Sequence, residues 1–286
     1  MIRRQAGRIR QRGGRHDEKS YSNSPSKGRR RENTTAAALA EGLQLRGFSV
    51  LSVDLDPQGN LSYIMRADTD DAPTVRDVLR GSATAAEAIQ SAPAGDILPA
   101  DIDLSGVDME ISQKLGREFI LRRALEKLPA DKYDYIVIDC PPSLGIFTIN
   151  ALTAADRLLI PMAADGLSIK GMKQLLDTAG QIRDNYNPAL QFEGIIITKF
   201  DGRANVRKDL KDTIENIADQ LSCRSYGPIR EAAAVVEAQA RKTGLQEHAA
   251  GSKVAEDYNT FIDQFLAADP EAQAKSAAPQ LAAQEG

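Results

Sequence analysis

From Thr34 to about residue 267, stretches with apolar residues three and four apart alternate with short, nearly unbroken apolar runs. The stretch TTAAALAEGLQLRG (34–47) predicts a helix stopped by Gly47. FSVLSVDL (48–55) predicts a strand buried on both faces. PTVRDVLRG and TAAEAIQSA predict two short helices with Pro or Thr near their starts. A helix is predicted over 117–128, strands over 133–139, 157–162 and 192–200, and helices over 168–186, 205–220, 231–243 and 252–267. Strands that alternate with helices pair in parallel. The fold class is therefore α/β: a doubly wound, mostly parallel sheet with helices on both faces.

The two ends do not share this pattern. Residues 1–33 hold 11 Lys and Arg against Asp17, Glu18 and Glu32, with no apolar period, and predict a disordered basic leader. The rest of the chain carries 25 basic and 37 acidic residues. A basic arm on an acidic body fits either nucleic-acid binding or a leader with no role. Residues 268–286 are rich in Ala and Gln and predict a flexible tail, which leaves 34–267 as the folded domain. Aromatic residues are 5% of the chain and Trp is absent, so the core must be aliphatic. No apolar run approaches the roughly 20 residues that span a bilayer, and no apolar secretory segment opens the chain. Cys140 and Cys223 stand far apart, which fits a reducing cytoplasm and neither a disulfide framework nor a zinc site.

Chemistry is expected where strands end. In open parallel sheets, ligands bind beyond the carboxyl ends of the strands. The first strand ends in Asp54 and Asp56, which a two-residue period puts on one side, and IVID ends in Asp139. Carboxylates there suit a magnesium ion, which keeps much of its hydration shell.

These residues carry a family resemblance. VLSVDLDPQGN (50–60), YDYIVIDCPPSLGIFTINALTAAD (133–156) and LLIPMAADGLSIKGMKQLLDT (158–178) resemble the ParA-type partition ATPases of the ParA/MinD branch of P-loop NTPases, as do GREFILRRALEKL and GIIITKFDGR. The likeness spans about residues 34–267. It implies ATP and Mg2+ as cofactors. Asp56 would position the water that attacks the γ-phosphate, with Asp54 beside it. Asp139 and Thr34 would serve the metal, and Thr34 and Thr35 would stand at the end of the phosphate loop. Pro141, Pro142 and Gly145 would sense the γ-phosphate. Thr198, Asp201, Ile229 and Arg230 would lie near the adenine. The resemblance also implies an ATP-dependent homodimer, non-specific DNA, a centromere-binding ParB-like partner and a nucleoid-associated cytoplasmic protein. Lys199, Arg203, Arg207, Arg224 and Arg230 are the leading candidates for DNA contact, with Lys208, Lys211 and Arg241 also considered. A membrane-binding relative of the MinD kind would need a basic amphipathic C-terminal helix, whereas the tail after Ala267 holds one basic residue, Lys275.

One motif is missing. The family's phosphate loop reads Lys-Gly-Gly-Val-Gly-Lys-Thr-Thr, and its backbone N–H groups wrap the phosphates. Here SKGRRRENTT (26–35) stands in its place. Arginine Cβ atoms resist the positive φ angles that glycine accepts, so these residues cannot imitate the loop. Read one nucleotide later, the Lys27/Gly28 junction must encode Lys or Arg. The next four junctions can encode Gly, Gly, Val and Gly, and Glu32/Asn33 must again encode Lys or Arg. Shifted alike, HDEKSYSNSPS (16–26) can read Met-Met-Arg-Lys-Ala-Ile-Ala-Ile-Ala-His-Gln, a first β-strand. The first strand and phosphate loop are thus expected to be lost from the chain as written, by a frameshift restored near Thr34. The codons for residues 16–33 decide this. The competing expectation is a non-catalytic relic that cannot bind ATP.

Overall fold

The apolar runs VLSVD, YIVID and GIIIT become neighbouring or near-neighbouring strands whose residues are buried on both faces. The computed structural model describes residues 2–4, 34–163, 165–200, 205–270 and 272–273. Strand β1 (Ile2–Arg4) is followed by α1 (Thr34–Gln44), β2 (Val50–Asp54), α2 (Asn60–Ile64), α3 (Val75–Arg80) and α4 (Ala85–Ala88). A hairpin of β3 (Gln90–Ala92) and β4 (Gly95–Leu98) leads to α5 (Leu104–Ile111), α6 (Ile120–Leu125) and β5 (Tyr135–Asp139). Then come α7 (Ile146–Ala154), β6 (Arg157–Ala163), α8 (Gly166–Asn185), β7 (Gln191–Thr198), α9 (Asn205–Gln220) and β8 (Arg224–Tyr226). Three helices close the described chain: α10 (Ala233–Ala240), α11 (Leu245–Ala249) and α12 (Lys253–Ala267).

The strands form one sheet in the order β3-β4-β2-β5-β1-β6-β7-β8. Pairs β2–β4, β2–β5, β6–β7 and β7–β8 are parallel, and the β3–β4 hairpin is antiparallel. Alternation along each strand feeds two cores. Leu51, Val53, Ile136 and Ile138 face α3, α5, α6, α7 and α8. Val50, Tyr135 and Val137 face α1 and α12. The second core concentrates the few aromatic residues. Tyr135 packs edge-on to Phe48 at 5.3 Å between centroids, and Tyr226 edge-on to Phe261 at 5.2 Å.

Four predicted strands appear where expected, and the departures have local causes. The segment TAAEAIQSA was expected to be helical throughout, but α4 stops at Ala88 and Gln90–Ala92 join β3. Pro93 and Gly95, at φ +104°, turn the chain back there, and pairing with β4 outweighs the helical pattern. β8 has three residues, too few to show a period. It lies close against β7 because Gly194 has no Cβ: one built there would meet the Arg224 carbonyl oxygen at 2.5 Å.

Both ends differ from expectation. Ile2–Arg4, read as part of a disordered leader, form β1 in the middle of the sheet. The first part of the residues read as a flexible tail is docked. Asp269 is 1% exposed and accepts a hydrogen bond from the Tyr135 hydroxyl at 3.0 Å, and Ala272 is likewise buried. Beside it, buried Glu193 accepts from Arg157, Arg224 and Tyr226 at 3.2, 2.9 and 2.7 Å. This paired network closes the amino-terminal edge of the sheet.

Candidate functional site

Parallel pairing of β2 with β5 places Asp54 directly beside Asp139 at the carboxyl edge of the sheet. The ladder runs one residue further, with Leu55 N donating to the Asp139 carbonyl at 2.9 Å. The chain then turns. Asp56 N donates to Asp54 Oδ1 at 3.0 Å, and Gln58 N to Asp56 Oδ1 at 3.0 Å. Gly59 N donates to the Asp56 carbonyl at 2.8 Å, and Gly59 takes φ +59°, a conformation glycine adopts without a Cβ penalty. The two-residue period therefore ends at Asp54, and Asp56 sits in a side-chain-closed turn rather than on the strand.

Asp54 is fully buried. Besides Asp56 N, it accepts Ser62 N and Ser62 Oγ at 2.9 Å each. Burial, first, and the neighbouring Asp56 carboxylate push the Asp54 carboxyl up to about 6, against the three hydrogen bonds that favour its charged form. Its oxygens are committed to the protein, so it fixes the turn that carries Asp56. Ser62 Oγ also accepts Ala100 N at 2.9 Å, joining β2, α2 and the segment after β4. Nothing in the sequence marked Ser62, whose importance comes from where α2 starts. Replacing Ser62 with Ala leaves a buried carboxylate and a buried amide each short of a partner. A stability loss of about 1–3 kcal/mol is expected in urea unfolding, with most of it recovered by Ser62→Thr. An unchanged midpoint in the alanine variant would remove Ser62 from this role.

After Asp139 the loop Cys140–Gly145 leads into α7. Thr148 Oγ1 donates to the Ser143 carbonyl at 2.5 Å, and Ile149 N to the Gly145 carbonyl at 3.1 Å. These bonds fix to α7 the end of the loop that carries Pro141 and Gly145 on from Asp139. Burial pushes the Cys140 thiol well up, which leaves it a packing residue and no nucleophile.

At the end of β7, Ile229 bonds to the backbone on either side of Thr198. Ile229 N donates to the Ile197 carbonyl at 2.7 Å, and Phe200 N to the Ile229 carbonyl at 3.0 Å. Arg230 turns away into a two-pronged ion pair with Asp257, at 2.6 and 2.7 Å. Thr35 is buried in α1 within 3.3 Å of the Tyr258 hydroxyl, and Thr34 begins that helix. Glu41 anchors α1 by accepting Gln246 N and Glu247 N at 3.0 and 2.9 Å.

Among the described residues, the cationic candidates Lys199, Arg224 and Arg230 are not gathered on one face. Lys199, at φ +53°, lies at the carboxyl edge, while Arg224 starts β8 at the opposite edge and is paired with Glu193. Arg207 belongs to α9. Asp201 and Arg203 lie outside the described residues, as does the segment that replaces the phosphate loop.

A family model described as an AAA domain matches residues 21–192. The chromosome partitioning protein ParA of Caulobacter vibrioides is 38% identical over 195 residues, covering 66% of this chain and 73% of that protein. This chain belongs to the ParA family of P-loop ATPases. The sporulation initiation inhibitor protein Soj of Bacillus subtilis is 40% identical over 180 residues, covering 61% of this chain and 70% of its own. Among solved structures, cobyrinic acid a,c-diamide synthase from Mycobacterium smegmatis with bound ADP and magnesium superposes with a TM-score of 0.71. It is 32% identical and covers 86% of this chain and 93% of that one. The AAA-domain match extends past β6, so it includes both strands that carry the carboxylates. The P-loop NTPase-like fold read from the sequence is the fold observed, with an unusual β1.

Proposed function

We propose that this chain derives from a ParA-type ATPase that partitions a plasmid or chromosome. The observation that carries the reading is the triad at the carboxyl edge: Asp54 clamped beneath the turn, Asp56 on it, and Asp139 alongside. Phosphoryl transfer asks for positioning and charge stabilisation more than covalent chemistry.

The donor set suits magnesium. Asp139 offers carboxylate oxygen next to the Asp56 turn, and among the described residues no cluster of three or more ligating side chains forms a closed cage. That matches an ion held by one or two carboxylates, water and phosphate oxygens. Magnesium, when bound, neutralises charge on the phosphates. Asp139 would accept a hydrogen bond from a metal-bound water, and the Thr34 hydroxyl would serve the same ion. Asp56 would orient the attacking water. Pro141 and Gly145 would report the γ-phosphate through α7, while Thr198, Asp201, Ile229 and the Arg230 backbone would border the base.

The phosphate side does not fit in the chain as written. Arg29, Arg30 and Arg31 stand where glycines are needed. β1 also runs the wrong way: Ile2 pairs with Val137 and Arg4 with Tyr135, so the chain leaves β1 at the edge opposite Asp139. This favours the second reading for the literal chain, a relic that does not hold ATP. The active form would carry the shifted-frame segment in place of residues 16–33, ahead of a domain spanning 34–267 with Asp269 and Ala272 docked on it.

We take dimerisation, non-specific DNA binding, a ParB-like partner and a nucleoid-associated place in the cytoplasm as properties of that restored form. Lys199, Arg203 and Arg207 are its first DNA candidates, and Arg224 and Arg230 would first have to leave their carboxylates. Among the described residues no helix is long and apolar enough to cross a membrane. The test is filter retention of non-specific duplex by the restored chain. Retention requires ATP and falls by orders of magnitude between about 50 and 200 mM salt, as counterion release dictates. Retention that ignores salt or ATP would sink the reading.

A further inference from the structure

Among the described residues seven large apolar side chains are exposed, and three of them line one groove. Tyr63 of α2, Ile102 after β4 and Val236 of α10 are 48%, 65% and 41% exposed. Apolar residues scattered singly over a surface need no explanation, but three that converge on one concavity do. The groove encloses about 870 Å³. Clefts that bind ligands run from about 300 to 1,000 Å³. One wall is the outer side of the turn that carries Asp56, because Pro57, Gln58 and Gly59 also line it.

The opposite wall is tied in place. Arg66 and Lys242 take φ +60° and +54°, the left-handed region that side chains seldom adopt. Such residues persist where their surroundings over-determine them, and they cluster at functional sites. These two hold each other. Arg66 Nε donates to the Lys242 carbonyl at 2.6 Å, and Arg66 Nη2 to Glu247 at 2.7 Å. Lys242 Nζ stands 4.4 Å from the centre of the Tyr63 ring. The chain after α2 is thereby fastened to the chain after α10, and the groove between them is formed without an occupant.

Charge narrows what fits. Arg66 and Lys242 are engaged as described, and Asp101 is held by Thr74 and Arg76. Asp68 and Asp70 are exposed on the same rim, and among the described residues no cation pairs with either. The uncompensated charge beside the apolar floor is therefore negative. No strand lines the groove, so an extended segment would gain no main-chain ladder there. An occupant has to bring its own backbone hydrogen bonds, as a helix does.

We infer that the groove between α2 and α10 is a docking site for an amphipathic helix of a partner protein. Its apolar residues, three and four apart, lie on Tyr63, Ile102 and Val236. Lys or Arg at the margin of that face meets Asp68 and Asp70. The groove belongs to the chain as written, and neither nucleotide nor the ATPase reading enters the inference.

The experiment titrates fluorescein-labelled Leu-Lys-Gln-Ile-Leu-Lys-Gln-Leu-Lys-Gln-Ile-Leu with the full chain, following anisotropy and amide hydrogen exchange without nucleotide. Saturable binding is expected, with new protection over α2 and α10. A peptide of the same composition in an order that breaks the apolar face, and one with Glu for Lys, should each bind at least about tenfold more weakly. Ile102→Ser and Val236→Ser alter exposed side chains, so their urea midpoints should stay put. Each should weaken binding about tenfold, the scale of one buried aliphatic side chain. Asp68→Asn combined with Asp70→Asn should weaken it a few-fold, and only at low salt. Equal binding of either control peptide, binding that ignores both apolar substitutions, or none at millimolar peptide overturns the inference. Sedimentation in which Ile102→Ser abolishes a dimer of the free chain would give the groove to a second copy and overturns the choice of occupant.

Discussion

Isothermal titration will show the 286-residue chain binding ATP at least about 100-fold more weakly than the same chain with Lys-Gly-Gly-Val-Gly-Lys-Thr restored ahead of Thr34. A glycine loop directs several backbone N–H groups at the phosphates, and its lysine adds charge. Hydrogen bonds to charged groups contribute about 1.5–3 kcal/mol each, and about 1.4 kcal/mol is a factor of ten. Losing two of them already accounts for about 100-fold. The direction of β1 adds to this, because a chain leaving the sheet beside Tyr135 departs from the edge opposite the carboxylates. Micromolar ATP affinity in the literal chain would show that another segment supplies the phosphate cradle, and the relic reading would fall.

In the restored chain, Asp56→Asn will lower kcat for hydrolysis about 10²- to 10³-fold while ATP affinity stays within a few-fold. A positioned acid–base group contributes on the order of 10²–10⁴. Asparagine keeps a carbonyl oxygen that can accept Gln58 N, so the turn survives and only the charge facing the water is lost. Asp54→Asn separates the two roles. Asp54 accepts two backbone amides and a serine hydroxyl in a buried position, so its amide variant loses stability as well as rate. Stopped-flow hydrolysis paired with urea unfolding reads both. Unchanged turnover in Asp56→Asn would remove Asp56 from the mechanism and leave the turn a structural feature.

The sequence alone determined the fold class, four of the strands and the acids that end two of them. It could do so because central parallel strands are buried on both faces, which makes apolar runs such as YIVID unmistakable and Asp139 conspicuous at the end of one. It also determined that the phosphate loop is absent, since Arg29–Arg31 lack glycine's freedom at positive φ.

The tertiary structure decided what depends on contacts between distant segments. Asp54 and Asp56 look equivalent in DLD, yet Ser62 buries one in hydrogen bonds and leaves the turn to carry the other. Arg224 and Arg230 look like free surface charge, yet Glu193 and Asp257 hold them. Pairing across the sheet turned Gln90–Ala92 from a predicted helix end into an edge strand and drew Asp269 under Tyr135. Ile2–Arg4 is the sharpest case. Three residues carry no periodic signal, and only pairing with β5 and β6 makes a strand of them.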